Sequence, residues 1–321
     1  MTGKAGEARD PLPDGLAAPF AGLPRRVRIV EVGPRDGLQN EAARLSIDDK
    51  VAFVRRLAAA GLRTIEVGAF VRPDRVPQMA DTDAVVRRLG SLDGVALSAL
   101  VPNRLGMERA IACGLRDVSV FTAASEAFAR HNINMTIDES LTRFGEVLTL
   151  AAERAMRVRA YVSTAWWCPY DGRVNPDAVR RVAGRLFEMG CGEISLGDTI
   201  GAATPADVAA LLDGLARDLP RGALAVHFHD TRGTALANVL AALLQGVTTI
   251  DAAAGGLGGC PYAPGASGNL ATEDLVYMLH GMGIDTGVDL ARLVEASRPL
   301  ALLVGRALPS RYLQAGPPPA G

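Results

Sequence analysis

Two histidines one residue apart, His227-Phe228-His229, close an apolar run that begins at Leu224. Alternate side chains of a strand share a face, so both imidazoles point one way and Phe228 points the other. Leu224, Val226 and Phe228 would then face a layer of helices, with Ala225 and the histidines facing inward. A pair so placed can occupy adjacent positions around one metal ion. Near the start of the chain, Glu31-Val32-Gly33-Pro34-Arg35-Asp36-Gly37 follows another apolar run and offers an anionic oxygen in Asp36. A third fragment, from Gly258 through Cys260 and Pro261 to Gly268-Asn269, sets a thiol in a glycine-rich loop and ends in an amide oxygen. Asp36, His227, His229 and Asn269 together give two nitrogens and two oxygens, with room for water or substrate. That donor set suits an octahedral Mg2+ or Mn2+. Each fragment alone has a plainer reading: hydrogen-bonded histidines, a helix-capping Asn269, a turn-forming Asp36. Their combination with Cys260 favours a site.

Cys260 stands among glycines and before Pro261, surroundings unsuited to a packed helix or strand. It is expected on a lid that closes, excludes water and delivers a proton. Cys113 and Cys191 read as small buried hydrophobes, and Cys168 as core filler on the catalytic rim. Arg35 can hold a carbonyl oxygen that turns negative in a transition state, and an ion pair with Glu66 or Asp198 is its other reading. His131 and His280 are expected to be structural. The only lysines are Lys4 and Lys50. Neither is placed inside a site, which excludes imine chemistry of the Schiff-base or pyridoxal type.

Something must bring these fragments together. Apolar β-rich runs over Arg28–Val32, Thr64–Val67, Ala96–Leu100, Asp117–Phe121, Arg157–Ser163, Glu193–Leu196, Leu224–His229 and Thr248–Ala252 alternate with helical patterns. The helices are expected over Ile47–Ala60, Met79–Leu89, Arg104–Ala112, Asp138–Met156, Pro176–Met189, Pro205–Asp218 and Thr234–Gln245, with cap signals at Ser46–Asp49 and Thr204–Asp207. A weak repeat places Gly61, Gly114, Gly190 and Gly246 where a helix ends and the next strand begins. Eight alternations favour a closed (β/α)8 TIM barrel, with a lid loop after the eighth strand and an extra C-terminal helix. An open doubly wound sheet is the alternative, but no GxGxxG follows a strand. Barrel chemistry sits at the C-terminal strand ends. Arg35, Asp36, Glu66, Asp198, His227, His229 and the Cys260 loop all fall there. Residues 26–306 are expected to form one catalytic domain between a disordered tail, 1–25, and a flexible tail, 307–321.

Composition narrows the class. With 321 residues, 49% of them hydrophobic, and a net charge of −1, the chain can bury a large core and shows no like-charged block. That argues against nucleic-acid or membrane-surface binding. Four cysteines at irregular spacing fit a reducing cytosol. No apolar run approaches the roughly 20 residues of a membrane span, and the first 25 residues lack the apolar core of a signal peptide. Heavy use of Ala and Arg points to a bacterial cytosolic protein.

Over about Val27–Leu303 the chain resembles the 3-hydroxy-3-methylglutaryl-CoA lyase family, within the metal-dependent lyase and Claisen-condensing barrel superfamily. The blocks that carry the resemblance are Glu31–Glu41, Glu193–Gly201, His227–Asp230 and Gly256–Leu279. The resemblance implies that Asp36, His227, His229 and Asn269 hold the metal and that Arg35 meets the substrate carbonyl, with Gln39 beside it. It implies Cys260 as the lid cysteine and places Glu66 and Asp198 as acids near the site. An acyl-CoA thioester would lose a proton from its C3 hydroxyl to a base such as His227 or a nearby acid. The carbon–carbon bond then breaks, and Cys260 supplies or relays a proton to the acetyl-CoA enolate. A homodimer is expected as a possible assembly. The chain departs from the family around Gly68-Ala69, where hydroxyl residues are usual, and at Trp166-Trp167, Phe228 and Arg232. Trp166 and Trp167 are expected to narrow the pocket or stack on a different acyl tail or the adenine. These departures leave open a lyase for another branched 3-hydroxyacyl-CoA. A Claisen-type condensing transferase and, from a different class, an Fe(II) oxygenase using His227, His229 and Asp36 also remain open.

Overall fold

Alternation along the strands builds the frame. In the strand Arg157–Ser163, Val158, Ala160 and Val162 are buried toward the helices, while Arg159 and Tyr161 turn inward to polar partners. The computed structural model describes residue 20 and residues 22–259 and 268–319. Its strands are β1 Arg28–Glu31, β2 Thr64–Ala69, β3 Ala96–Leu100, β4 Asp117–Ala123, β5 Arg157–Ser163, β6 Trp167–Cys168, β7 Gly172–Arg173, β8 Glu193–Asp198, β9 Leu224–Phe228 and β10 Thr249–Ala252. All but β6 and β7 close a parallel barrel in the order β1-β10-β9-β8-β5-β4-β3-β2. This is the expected (β/α)8 TIM barrel.

The outer layer is α1 Ile47–Ala59, α2 Thr82–Leu89, α3 Arg104–Ala112, α4 Glu126–Ile133, α5 Ile137–Glu153, α6 Pro176–Glu188, α7 Pro205–Leu215, α8 Ala235–Leu244, α9 Thr272–Gly281, α10 Leu290–Val304 and α11 Arg311–Ala315. Ser46 caps α1 by accepting from the Asp49 N–H, and Thr204 with Asp207 forms a capping box on α7 behind Pro205. Both caps stand where the sequence signals them, each worth about 1 kcal/mol. Gly61, Gly114, Gly190 and Gly246 all have positive φ, as the repeat requires. At Gly61 a Cβ would lie 2.2 Å from the Gly287 carbonyl oxygen, so backbone packing as well as φ forbids a side chain there.

Three local features differ from expectation. Helix α4, capped by Ser125, precedes α5 in the connection after β4. A two-stranded hairpin, β6–β7, fills the loop after β5. The third is the flexible tail expected at 307–321, which is docked as far as Ala315. Leu308 packs where a Cβ on Gly255 would touch it, and Ser310 is fully buried. The Asp274 carboxylate accepts from Ser310 Oγ at 2.8 Å and from the Arg311 and Tyr312 N–H groups at 3.0 and 2.8 Å. It thereby satisfies the open amides at the start of α11, which is why the segment holds. Lys50, on α1, is buried, with Nζ 2.5 Å from Asp81 Oδ1 and 2.6 Å from the Gln78 carbonyl.

Candidate active site

After β1 the chain makes a π-helical turn, Gly33–Gly37, in which the Gly37 N–H reaches back to the Val32 carbonyl. Such turns are rare and frequent at functional sites. This one presents Arg35 and Asp36 side by side at the C-terminal mouth of the barrel. Across the mouth, His227 ends the inward face of β9 and His229 follows it. Asn269 is drawn up by a bridge to His229, and the Leu270 N–H donates to the Phe228 carbonyl at 3.0 Å. Ligand atoms of Asp36, His227 and His229 all lie within 4.8 Å of one another. Asn269 donates through Nδ2 to Asp36 Oδ2 at 3.0 Å and to the Leu257 carbonyl at 2.9 Å. That leaves its Oδ1 buried and, like His229 Nδ1, without a partner among the described residues. A buried acceptor left open costs about 1–3 kcal/mol. Two open acceptors beside a carboxylate and a second imidazole are what a divalent cation would satisfy, so the four residues fit a metal.

The electrostatics agree. Burial opposes the charge on Asp36, but Arg35, His227, His229 and the Asn269 hydrogen bond outweigh it and bring its pKa to about 2. Burial, reinforced by His227, lowers His229 to about 4, so it is a neutral donor at pH 7. His227 Nε2 lies 3.9 Å from Asp36 Oδ2, and its Nδ1 lies 3.3 Å from Asp251 Oδ2 on β10. Asp251 also accepts from Arg159 Nη2 at 2.5 Å and Ser195 Oγ at 2.9 Å. Burial opposes its charge as well, and Arg159 and His227 prevail, holding the carboxyl below its ordinary value.

Arg35 is buried, pairs through Nε with Glu66 and through Nη1 with Asp36 at 2.5 Å, and lies over the Tyr161 ring at 5.2 Å. Burial disfavours its charge, but Glu66 and Asp36 more than restore it and raise its pKa. The ion-pair reading of Arg35 therefore holds, with Glu66 as the partner, and the same guanidinium stands beside Asp36 at the barrel mouth. Glu66 is fully buried, with its oxygens engaged by Arg35 and Ser119. It holds the guanidinium in place. Gln39 donates to Asp36 Oδ1 at 2.9 Å. Asp198, raised by burial, accepts from the Ala202 and Ala203 N–H groups at 3.0 Å each and so also braces the loop after β8. Cys260 lies outside the described residues.

Sequence reasoning missed Arg159, Tyr161, Ser195 and Asp251. Their signal is the inward half of each strand's alternation, as in Arg159-Ala160-Tyr161. Trp166 does not narrow the pocket. Its Nε1 donates to the Asp207 carbonyl at 3.1 Å and its ring packs 5.6 Å from Phe228, on the helical side of β9. Trp167 is half-buried beneath the Arg173 guanidinium on the hairpin. A Cβ at Gly68 would come 2.5 Å from Thr82 Oγ1, which explains the missing side chain there. Cys191 is buried, and burial pushes its thiol up to about 12; Cys168 is buried and accepts from Ser125 Oγ at 3.1 Å; Cys113 is half-buried. His131 stacks on Tyr170 at 4.1 Å, and His280 Nε2 meets Thr286 Oγ1 at 2.8 Å, both structural contacts.

Two buried glutamates hold the stems of the segment that carries Cys260. Glu31 accepts from the Gly33 and Ala254 N–H groups at 2.8 Å each and from Thr272 Oγ1 at 2.7 Å. Glu273 accepts from the Gly255 N–H at 2.8 Å and from Ser297 Oγ. They tie β1, the turn after β10 and the start of α9 together. Burial raises Glu31 to about 7 and Glu273 to about 8, the charge of Glu31 adding to the latter.

The profile of the HMGL-like family matches residues 26–299. Hydroxymethylglutaryl-CoA lyase of Pseudomonas mevalonii is 58% identical over 285 residues, covering 89% of this chain and 95% of the relative. A Pseudomonas aeruginosa enzyme named 3-hydroxy-3-isohexenylglutaryl-CoA/hydroxy-methylglutaryl-CoA lyase is 50% identical, covering 91% of this chain and 98% of its own. Among solved structures, an HMG-CoA lyase from Acinetobacter baumannii in complex with coenzyme A and 3-methylmalate superposes with a TM-score of 0.87 at 35% identity, covering 94% of this chain and 99% of that one.

Proposed function

Because the chain belongs to the HMGL-like family, whose members are metal-dependent carbon–carbon lyases, we propose that it cleaves 3-hydroxy-3-methylglutaryl-CoA to acetyl-CoA and acetoacetate. The observation that carries the reading is the meeting of Asp36, His227 and His229 within 4.8 Å, beside the open oxygen of Asn269 and the guanidinium of Arg35. Those four ligands would hold Mg2+ or Mn2+. Bound there, the cation supplies Lewis-acid polarisation of substrate oxygens. Arg35, locked by Glu66 and Tyr161, meets the thioester carbonyl as it gains negative charge, and fixed donors of this kind are worth about 10²–10³ in rate. Gln39 keeps Asp36 oriented. Asp198, whose burial favours proton uptake, takes the hydroxyl proton through water. The acetyl-CoA enolate left by cleavage accepts its proton from the Cys260 thiol.

The relative named for an isohexenyl substrate makes acyl length the finer question. The test is incubation with 3-hydroxy-3-methylglutaryl-CoA and Mg2+, with and without EDTA, following both products, and a parallel reaction with the isohexenyl analogue. Acetyl-CoA and acetoacetate in equal amounts, abolished by EDTA, are expected. An intact first substrate beside a cleaved analogue would move the proposal to the longer acyl group. Consumption of acetyl-CoA with a 2-oxo acid, or a requirement for Fe(II) and O2, would overturn it.

A further inference from the structure

A neutral imidazole carries its proton on one nitrogen and its lone pair on the other, and the partner of the first decides which. His227 Nδ1 lies 3.3 Å from Asp251 Oδ2, and an ionised carboxylate only accepts. The proton therefore sits on Nδ1, and the lone pair sits on Nε2, the nitrogen facing Asp36 at 3.9 Å. We propose that Asp251, braced by Arg159 and Ser195, is the positioning residue that fixes the tautomer of His227 and so aims Nε2 at the metal. The inference rests on the metal site proposed above and concerns how that site is built.

The contact belongs to the barrel itself. Asp251 and His227 are register partners on the adjacent parallel strands β10 and β9, so their side chains emerge together on the inner face. The carboxylate cannot turn away, because Arg159 from β5 holds Oδ1 and Ser195 from β8 shares Oδ2. Arg159 is fixed in turn by Glu193 Oε1 at 2.9 Å and by the Tyr161 ring at 4.9 Å. Charge on the distal partner of a ligating histidine also raises the basicity of the ligand nitrogen. His229 offers the contrast: no described residue holds its Nδ1, so that nitrogen is itself left open toward the metal. One consequence bears on the mechanism. With Nδ1 protonated and Nε2 committed to the metal, His227 has no nitrogen left to act as a base.

The test starts from the native protein. Long-range proton–nitrogen correlation on histidine-labelled protein, after EDTA and again with Mg2+, reads the tautomer of each imidazole, and the chain holds only four histidines. His227 is expected to carry its proton on Nδ1 in both states. Asp251→Asn offers an amide N–H to Nδ1 and so moves the proton to Nε2. Its affinity for Mn2+, read by electron paramagnetic resonance of the free ion, should fall about 10–100-fold. Ser195→Ala keeps the Asp251 contact and should hold the native tautomer. A proton on Nε2 in the native protein, or a folded Asp251→Asn protein that binds Mn2+ as the native one does, would overturn the inference. The native spectrum decides even if the variant fails to fold. Neither readout depends on turnover: an Nδ1 proton and a weakened variant in a protein that leaves the thioester intact would remove the proposed reaction and keep this inference.

Discussion

Asn269 and His229 each bring one buried, open acceptor to the barrel mouth, and the proposal gives them a different role from Cys260. His229→Ala should lose both Mn2+ binding and activity. Cys260→Ala should keep Mn2+ binding and lose about 10²–10⁴ in kcat, as removal of an acid–base group does. A paired metal titration and rate measurement on both variants reads the split, and an active Cys260→Ala enzyme would remove the proton-donor role. Arg35→Gln should also retain the metal while slowing catalysis about 10²–10³-fold. It leaves Glu66 charged, fully buried and short of its partner, so a cost of about 3–5 kcal/mol in stability should appear alongside. The proposed ligands His227 and His229 were legible because the chain has only four histidines and these two stand together at a strand end. Arg159 and Asp251 were not, since an inward polar residue in a barrel strand looks, in sequence, like the solvent side of an ordinary amphipathic strand.

At the scale of elements, Glu31 and Glu273 make stability depend on pH. Both carboxyls titrate above the ordinary glutamate value of 4.5, at about 7 for Glu31 and about 8 for Glu273. Between those limits the folded protein binds more protons than the unfolded chain. Their contribution is therefore full below about 4.5 and lost as pH rises through about 7 and 8. Thermal unfolding followed from pH 6 to pH 9 should show a falling Tm, and Glu273→Gln should flatten the fall. An unchanged slope in that variant would mean that the pair does not titrate in this range. Strand positions were legible, with β3 and β5 at their expected bounds. β2 and β8 run two residues further, through Gly68-Ala69 and Gly197-Asp198, where glycine hides strand character from an apolar pattern. Helix α4 and the hairpin were missed because eight residues and two-residue strands give too short a period to read.

The whole molecule is closed from its C-terminal side. Leu308 covers Gly255, one residue beyond the amide held by Glu31, and Asp274 on α9 anchors the helix that follows. Residues 308–312 are thus packed against the turn after β10 and the start of α9. Leu308→Ala should cost about 2–5 kcal/mol, read by calorimetry as a lower Tm. An unchanged Tm would mean that the segment docks without bearing on the fold.

The isolation of Lys50 has its own consequence. Every thioester that enters such an enzyme is also an acylating agent, and lysine amines are the side chains that such modification targets. Among the described residues the only amine is Lys50, buried between Asp81 and the Gln78 carbonyl, and the remaining cationic side chains are guanidinium and imidazole groups. Across the described fold, then, no accessible amine is offered to an acylating thioester, and Lys4, the other lysine, lies outside the described residues.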